Sequence, residues 1–180
     1  MLKIVSIYET ENVILSEVRK SKLEKIKNEK SRLLSLAAEE AYNRTSLELL
    51  GEIEPYTYKN EKPQNDKFFF NLSHSGEYAV CAASKKPVGV DIQEIKPIDL
   101  KLSERFFTKD EFEYIKNGKN KEERFFEIWT KKEAMAKVYG EGISNFFKSV
   151  SVLLAKDFEF KMNTSLDGYI ICICTAKAVH

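Results

Sequence analysis

Asp91 and Gln93 lie two residues apart in Val88-Gly89-Val90-Asp91-Ile92-Gln93, near the middle of a 180-residue chain. The alternation of apolar residues predicts a strand, with Val88, Val90 and Ile92 toward a core and Gly89, Asp91 and Gln93 on the opposite face. A carboxylate and an amide oxygen then stand side by side, about 6–7 Å apart at Cα. Gly89 carries no side chain and leaves room for something to approach the backbone. Such an arrangement could hold a metal ion and a phosphate; it could equally be an edge turn.

A second set of groups falls on a predicted helix over 122–139. At about 100° per residue, Phe125, Ile128, Trp129, Met135, Ala136 and Tyr139 make one apolar stripe, with Lys132 in its middle. Glu133 borders the stripe, and Lys137 lies one turn on along the same flank. A surface pair of Glu133 with Lys137 would contribute only about 0.2–0.5 kcal/mol. It explains neither Lys132 within the stripe nor Glu133 beside Trp129. Burying an unpaired charge is costly, so Lys132 needs a partner or a route to water. A sheltered cleft holding an anion and a metal would account for all three residues, and snorkelling of Lys132 is the competing account. A third set, Ser73-His74, ends the run Phe68-Phe69-Phe70-Asn71-Leu72. Adjacent strand residues point apart and no third group orients them, which argues against a nucleophile pair. Both side chains donate hydrogen bonds, which suits contact with a phosphate; a structural histidine at a strand end is the plainer alternative.

These groups need elements to hold them. Leu2–Tyr8 alternates as a first strand, and the charged stretch from Glu17 to Lys30, with Arg19, Lys22 and Lys25, reads as a solvated helix face. Residues 31–45 have the leucine and alanine spacing of an amphipathic helix. Residues 52–66, with Pro55 and Pro63, read as loop with one short strand. Runs at 68–73, 78–84 and 88–93, punctuated by Ser75-Gly76 and Lys85-Lys86-Pro87, predict an antiparallel meander. Thr108-Lys109-Asp110-Glu111 is a capping box opening a helix to about Ile115, Asn117-Gly118 breaks it, and Gly140 stops the next helix. Strands are predicted at 149–154, 158–162 and 169–175. Helices followed by antiparallel strands thus occur twice, which predicts an α+β fold in two halves, 1–95 and 96–180.

Composition bounds the function. Hydrophobic residues make up 43% and aromatic residues 12% of the chain, enough for a packed core. With 29 basic and 28 acidic residues, the chain lacks the basic field of a dedicated nucleic-acid binder. No apolar run approaches the ~20 residues that span a bilayer, and the amino-terminal stretch alternates too much for a signal peptide. Cys81, Cys172 and Cys174 sit in apolar runs without CxxC spacing and read as inert core thiols. A cytoplasmic protein with no nucleic-acid or membrane partner is expected.

Three blocks together resemble the 4′-phosphopantetheinyl transferases of the surfactin-synthetase-activating type. They are Phe70-Asn71-Leu72-Ser73-His74-Ser75, Val88-Gly89-Val90-Asp91-Ile92, and Trp129-Thr130-Lys131-Lys132-Glu133-Ala134-Met135-Ala136-Lys137. Arg105-Phe106-Phe107-Thr108-Lys109-Asp110-Glu111 is similar to the family's segment between the last two. The resemblance implies transfer of the phosphopantetheine arm of coenzyme A to a serine of an apo acyl or peptidyl carrier protein. It further implies adenosine 3′,5′-bisphosphate as the by-product and Mg²⁺ as the metal. It also implies two similar α+β halves about a pseudo-twofold axis in a monomer, with the cofactor in the cleft between them. Residues 1–95 would form the coenzyme A side, and 96–180 would carry the catalytic helix and receive the carrier. By analogy Asp91, Glu133 and the position of Gln93 hold the metal, Glu133 doubles as general base, and Lys137 assists catalysis. Ser73, His74, Lys62 and Lys132 would bind the cofactor, with Arg19 and Lys22 as further basic contacts.

Two positions depart from the pattern: Gln93 stands where the family often has Glu, and Glu61 where glycine commonly precedes Lys62-Pro63. Weaker Mg²⁺ binding is expected from the neutral amide. Two other readings stand beside the transferase. One is a Mg²⁺-dependent phosphodiesterase or nuclease, against which the four-residue helical spacing of Glu133 and Lys137 counts. The other is a non-catalytic relative that binds carrier proteins.

Overall fold

Ala79, Cys81 and Ala83 recur at every second position of one strand, and Ala37, Ala38 and Ala41 cluster on one long helix. The first of two compact units, Met1–Val88, forms where these small faces meet. The structure, a computed structural model, describes residues 1–59, 62–139 and 147–177. Glu61 and Gly140, both singled out in the sequence, lie outside the described residues.

In the first unit, β1 (Leu2–Ser6) runs into a 3-10 turn at Ile7–Glu9 rather than continuing to Tyr8 as a strand. Helix α1 (Glu17–Leu23) follows, capped by the Ser16 side chain, which accepts from the Arg19 N–H. Helix α2 (Glu29–Leu50) outruns its predicted bounds: the Asn28 side chain caps its start, and Gly51, at φ 78°, ends it in the left-handed conformation that glycine adopts without strain. Two short strands, β2 (Thr57–Lys59) and β3 (Lys62–Gln64), pair where one was expected. β4 (Phe69–Ser75) and β5 (Tyr78–Ser84) form an antiparallel hairpin, and β1 pairs on the other side of β5, giving the order β1-β5-β4. The α2 face closes this sheet through a fully buried Tyr42, whose ring lies 4.6 Å from Phe70 and 4.7 Å from Tyr56, centroid to centroid.

The expected meander stops at β5. Strand β6 (Val88–Glu94) instead lies beside β8 (Tyr169–Ala176), which pairs antiparallel with β7 (Phe158–Asn163), in the order β6-β8-β7. The compact units accordingly divide at Val88/Gly89, where the sequence reading placed the division after residue 95; the difference is β6 itself. Its alternating pattern fits any sheet with one buried face, so pattern alone could not choose the partner.

The second unit adds three helices: α3 (Leu100–Phe106), α4 (Lys109–Lys116) and α5 (Lys121–Tyr139). Helix α3 was not foreseen; Asp99 starts it by accepting from the Lys101 N–H. The capping box of α4 forms, with the Glu111 carboxylate accepting from the Thr108 N–H at 3.0 Å. Helix α5 is buried well beyond one stripe. Phe125, Ile128, Met135, Ala136 and the stripe-centre Lys132 are inside, but so are Thr130 and Ala134 from outside the stripe, while Tyr139 is 55% exposed. A helix packed against more than one neighbour hides more than a single face.

The predicted strand at 149–154 is a series of turns. Two of its backbone groups bond to side chains: the Val150 carbonyl accepts from Lys132, as does the Phe147 carbonyl just ahead of the segment, and the Val152 N–H donates to Glu111.

Candidate active site

The space above Gly89 is filled by protein. A Cβ built at that position would lie 2.0 Å from the Ala134 carbonyl oxygen and 3.1 Å from Lys137 Cβ. The glycine therefore lets the α5 backbone press against β6, where the sequence had suggested room for a ligand. This contact brings the 133–137 turn of α5 level with Asp91.

Lys137 does not pair with Glu133 as its helical spacing suggested. Its Nζ crosses to β6 and donates to Asp91 Oδ1 and to the Val90 carbonyl, both at 2.8 Å. On the strand itself, Gln93 Nε2 donates to Asp91 Oδ2 at 3.0 Å, as two residues on one strand face can. Asp91 and Glu133 are both buried, at 3% and 8% exposure. Burial first, and the neighbouring Asp91 charge second, push the Glu133 carboxyl up to about 7, with Lys137 offsetting only part. Two buried carboxylates that resist sharing their charge, with an amide oxygen beside them, make a donor set of hard oxygens. Such a set fits a divalent cation that keeps waters, as Mg²⁺ does. Among the described residues, no cluster of three or more His, Cys, Asp or Glu suited to a metal occurs.

Gln93 and Glu133 also border a pocket of about 430 Å³ whose walls include Leu102, Phe106, Phe125, Phe126 and Trp129. Phe125 and Trp129 stack at 5.8 Å, and Phe106 meets Trp129 edge-on at 6.1 Å. The pocket is thus walled largely by aromatic and apolar side chains, with the Gln93 amide and the Glu133 and Asp99 carboxyls among its lining. Leu102 and Phe106 were missed as wall residues because α3 was not recognised; the Phe106-Phe107 pair ahead of the capping box was the available signal.

Two basic residues expected at a cofactor have partners inside the protein. Lys132 is fully buried, and its three N–H groups go to Glu111 Oε2 at 2.9 Å, the Phe147 carbonyl at 2.7 Å and the Val150 carbonyl at 2.5 Å. Neither snorkelling nor a bound anion is needed to account for it. Arg19, expected on a solvated face, is 2% exposed. It donates to Glu39 at 2.9 Å, Ser35 at 3.0 Å and the Tyr56 hydroxyl at 3.1 Å. The other expected contacts lie in the first unit. Lys22 is exposed on α1 with its Nζ 5.9 Å from the Tyr58 ring centroid, beside an open hollow that Lys25 also lines. Lys62 opens β3, and burial lowers its pKa. Ser73 is buried on β4 opposite Val80, and the adjacent His74 is exposed, so the two occupy opposite faces as strand geometry requires.

The segment holding the cluster and the pocket also matches a protein family. The family model of the 4′-phosphopantetheinyl transferase superfamily matches residues 87–178. The chain is 40% identical over 139 residues to the 4′-phosphopantetheinyl transferase psf-1 of Bacillus pumilus, covering 67% of this chain and 60% of that protein. It is 41% identical over 91 residues to the transferase Sfp of Bacillus subtilis strain 168, covering 49% and 40%. With the transferase gsp of Aneurinibacillus migulanus it shares 43% identity over 90 residues, covering 47% and 38%. The chain belongs to the 4′-phosphopantetheinyl transferase superfamily. It spans less than two thirds of the length of these relatives.

Proposed function

We propose that this protein transfers the 4′-phosphopantetheine group of coenzyme A to a serine hydroxyl of an apo acyl or peptidyl carrier protein, releasing adenosine 3′,5′-bisphosphate. The observation that carries this reading is the cluster of Asp91, Gln93, Glu133 and Lys137, two of whose members, Gln93 and Glu133, border an aromatic-walled pocket, inside the segment that matches the family. A pantetheine arm is slender and largely apolar with two amides, and a pocket of this size and lining suits it.

In the transfer, the serine oxygen forms a bond to the phosphorus that bears the arm. The bond from that phosphorus to the bridging oxygen breaks, and the bridging oxygen leaves with the nucleotide. The serine proton passes to the Glu133 carboxylate. With its pKa raised to about 7, Glu133 is still partly ionised at neutral pH and holds the proton well once it arrives. The Lys137 ammonium, anchored at Asp91, stands ready for charge that develops on the leaving phosphate. Asp91, Glu133 and the Gln93 amide oxygen would hold Mg²⁺, which would supply positive charge to the pyrophosphate. The neutral Gln93 implies weaker cation binding than a third carboxylate would give. Ser73, His74, Lys62 and Lys22 we read as hydrogen-bond donors and cations for the phosphates of the nucleotide end. We also read the two units as related halves, since each sets a three-stranded sheet against one long helix. Three buried free thiols suit a reducing compartment such as the cytoplasm.

The test is to incubate the protein with coenzyme A, Mg²⁺ and apo carrier proteins and to weigh the carriers. A gain equal to phosphopantetheine, lost in Asp91→Ala and Glu133→Ala, is expected. No gain with any carrier, or full activity in either variant, would sink the proposal. Cleavage of nucleic acid instead would favour the phosphodiesterase, and carrier binding without turnover the non-catalytic relative.

A further inference from the structure

The Glu111–Lys132 pair is fully buried and takes no part in the chemistry above. Glu111 Oε2 accepts from Thr108 N–H at 3.0 Å and from Lys132, while its Oε1 accepts from Val152 N–H at 2.8 Å. One carboxylate thus joins the start of α4, the middle of α5 and the 147–152 turns. Lys132 adds two carbonyls of the same turns, one of them that of Phe147. The Phe147 ring lies 4.8 Å from Trp129 and 6.0 Å from Phe107, centroid to centroid, so whatever fixes the Phe147 backbone also backs the Trp129 wall of the pocket. Trp129 and Glu133 are one turn apart on α5 and both border that pocket, and Lys132 is the residue before Glu133.

We propose that Glu111 and Lys132 are positioning residues: the pair locks the rotation of α5 and the seat of Phe147, and so holds the Trp129 wall and the Glu133 carboxyl in register for transfer. The proposal rests on the transferase reading for its kinetic consequence, and on the geometry alone for the seat of Trp129. It gives a capping-box glutamate and a stripe-centre lysine a role that neither a cap nor a buried ion pair requires.

Trp129 is the chain's single tryptophan, so its emission reports the pocket wall directly. The variant Glu111→Gln/Lys132→Met removes both charges together and leaves neither buried alone. Cooperative unfolding should persist. The Trp129 emission should move to longer wavelength with greater quenching by acrylamide, and kcat should fall by about 10²-fold. The KM for the carrier should stay within about threefold. With an active wild type, a folded variant that keeps either the wild-type emission or the wild-type kcat overturns the proposal. If the double variant does not unfold cooperatively, Lys132→Arg decides. Its planar guanidinium keeps the charge but cannot reach the same two carbonyls, and should move both readouts in the same directions by less. Loss of folding in both variants would make the pair a stability element only and overturn the assignment. An inactive wild type would count against the transferase reading, while the emission still tests the seat of Trp129.

Discussion

The first unit buries Arg19 with Glu39 and Tyr56, and the second buries Asp91 with Glu133 beside Lys137. Both clusters set acids and bases in low-dielectric surroundings, yet they end in opposite electrostatic states. In the first, Glu39 Oε2 takes the Arg19 guanidinium at 2.9 Å and the Tyr56 hydroxyl at 2.5 Å, and Oε1 takes the Ser16 N–H at 2.9 Å. Burial pushes the Tyr56 hydroxyl up, so it stays a donor. Acid and base match one to one. In the second, burial first and the neighbouring Asp91 charge second raise Glu133 to about 7, and Lys137 offsets only part of this. A buried cluster that is balanced and saturated holds the fold together, whereas one with surplus negative charge opening on a pocket can take a proton or a cation.

The largest effect that would test this contrast is in the balanced cluster. Glu39→Ala should cost about 3–5 kcal/mol, because it strands the Arg19 charge in the interior; denaturant unfolding measures it, and a loss below 1 kcal/mol would show that the cluster is not closed. Glu133→Gln should act the other way. Transfer should fall about 10²–10³-fold, the usual worth of a positioned base, while stability at pH 8 is unchanged or increased because like-charge repulsion is relieved.

The pH dependence follows from the same buried carboxyl. Glu133 has a folded pKa of about 7 against an ordinary value of 4.5, so the folded state holds its proton more tightly than the unfolded chain. Its contribution to stability is therefore complete below about pH 4.5 and is lost as pH rises through 7. The loss amounts to roughly 3 kcal/mol at about 1.4 kcal/mol per pKa unit. Unfolding free energies at pH 5 and pH 8 should differ accordingly in the wild type and much less in Glu133→Gln. Smallest is Gln93→Glu. It should tighten Mg²⁺ binding about tenfold by calorimetry, since a carboxylate replaces an amide among oxygen ligands. An unchanged affinity would mean that position 93 does not reach the cation.

Much of the open cluster was legible because its parts are local. Asp91 and Gln93 share a strand face by parity, and Glu133 and Lys137 share a helix flank by spacing. That Lys137 would reach Asp91 rather than Glu133 depends on the Gly89–Ala134 contact, which joins residues 45 positions apart. The closed cluster was hidden for the same reason. Arg19 stands in a stretch dense with lysines, and nothing nearby reveals that its acid is Glu39, on another helix. Residues 149–154 have strand-like composition, but Lys132 and Glu111 compete for their backbone groups and win. Side chains that bond backbone far along the chain leave no periodic trace.

The place of β6 has a consequence for how the protein is made. Asp91 is translated 85 residues before Ala176, where β8, the sheet neighbour of its strand, ends. Contacts so distant in sequence close slowly and only after both partners exist. A nascent chain that has just completed α5 therefore carries all four groups of the site but no finished sheet to hold them. The sheet that holds the four groups is complete only once β8 has been translated.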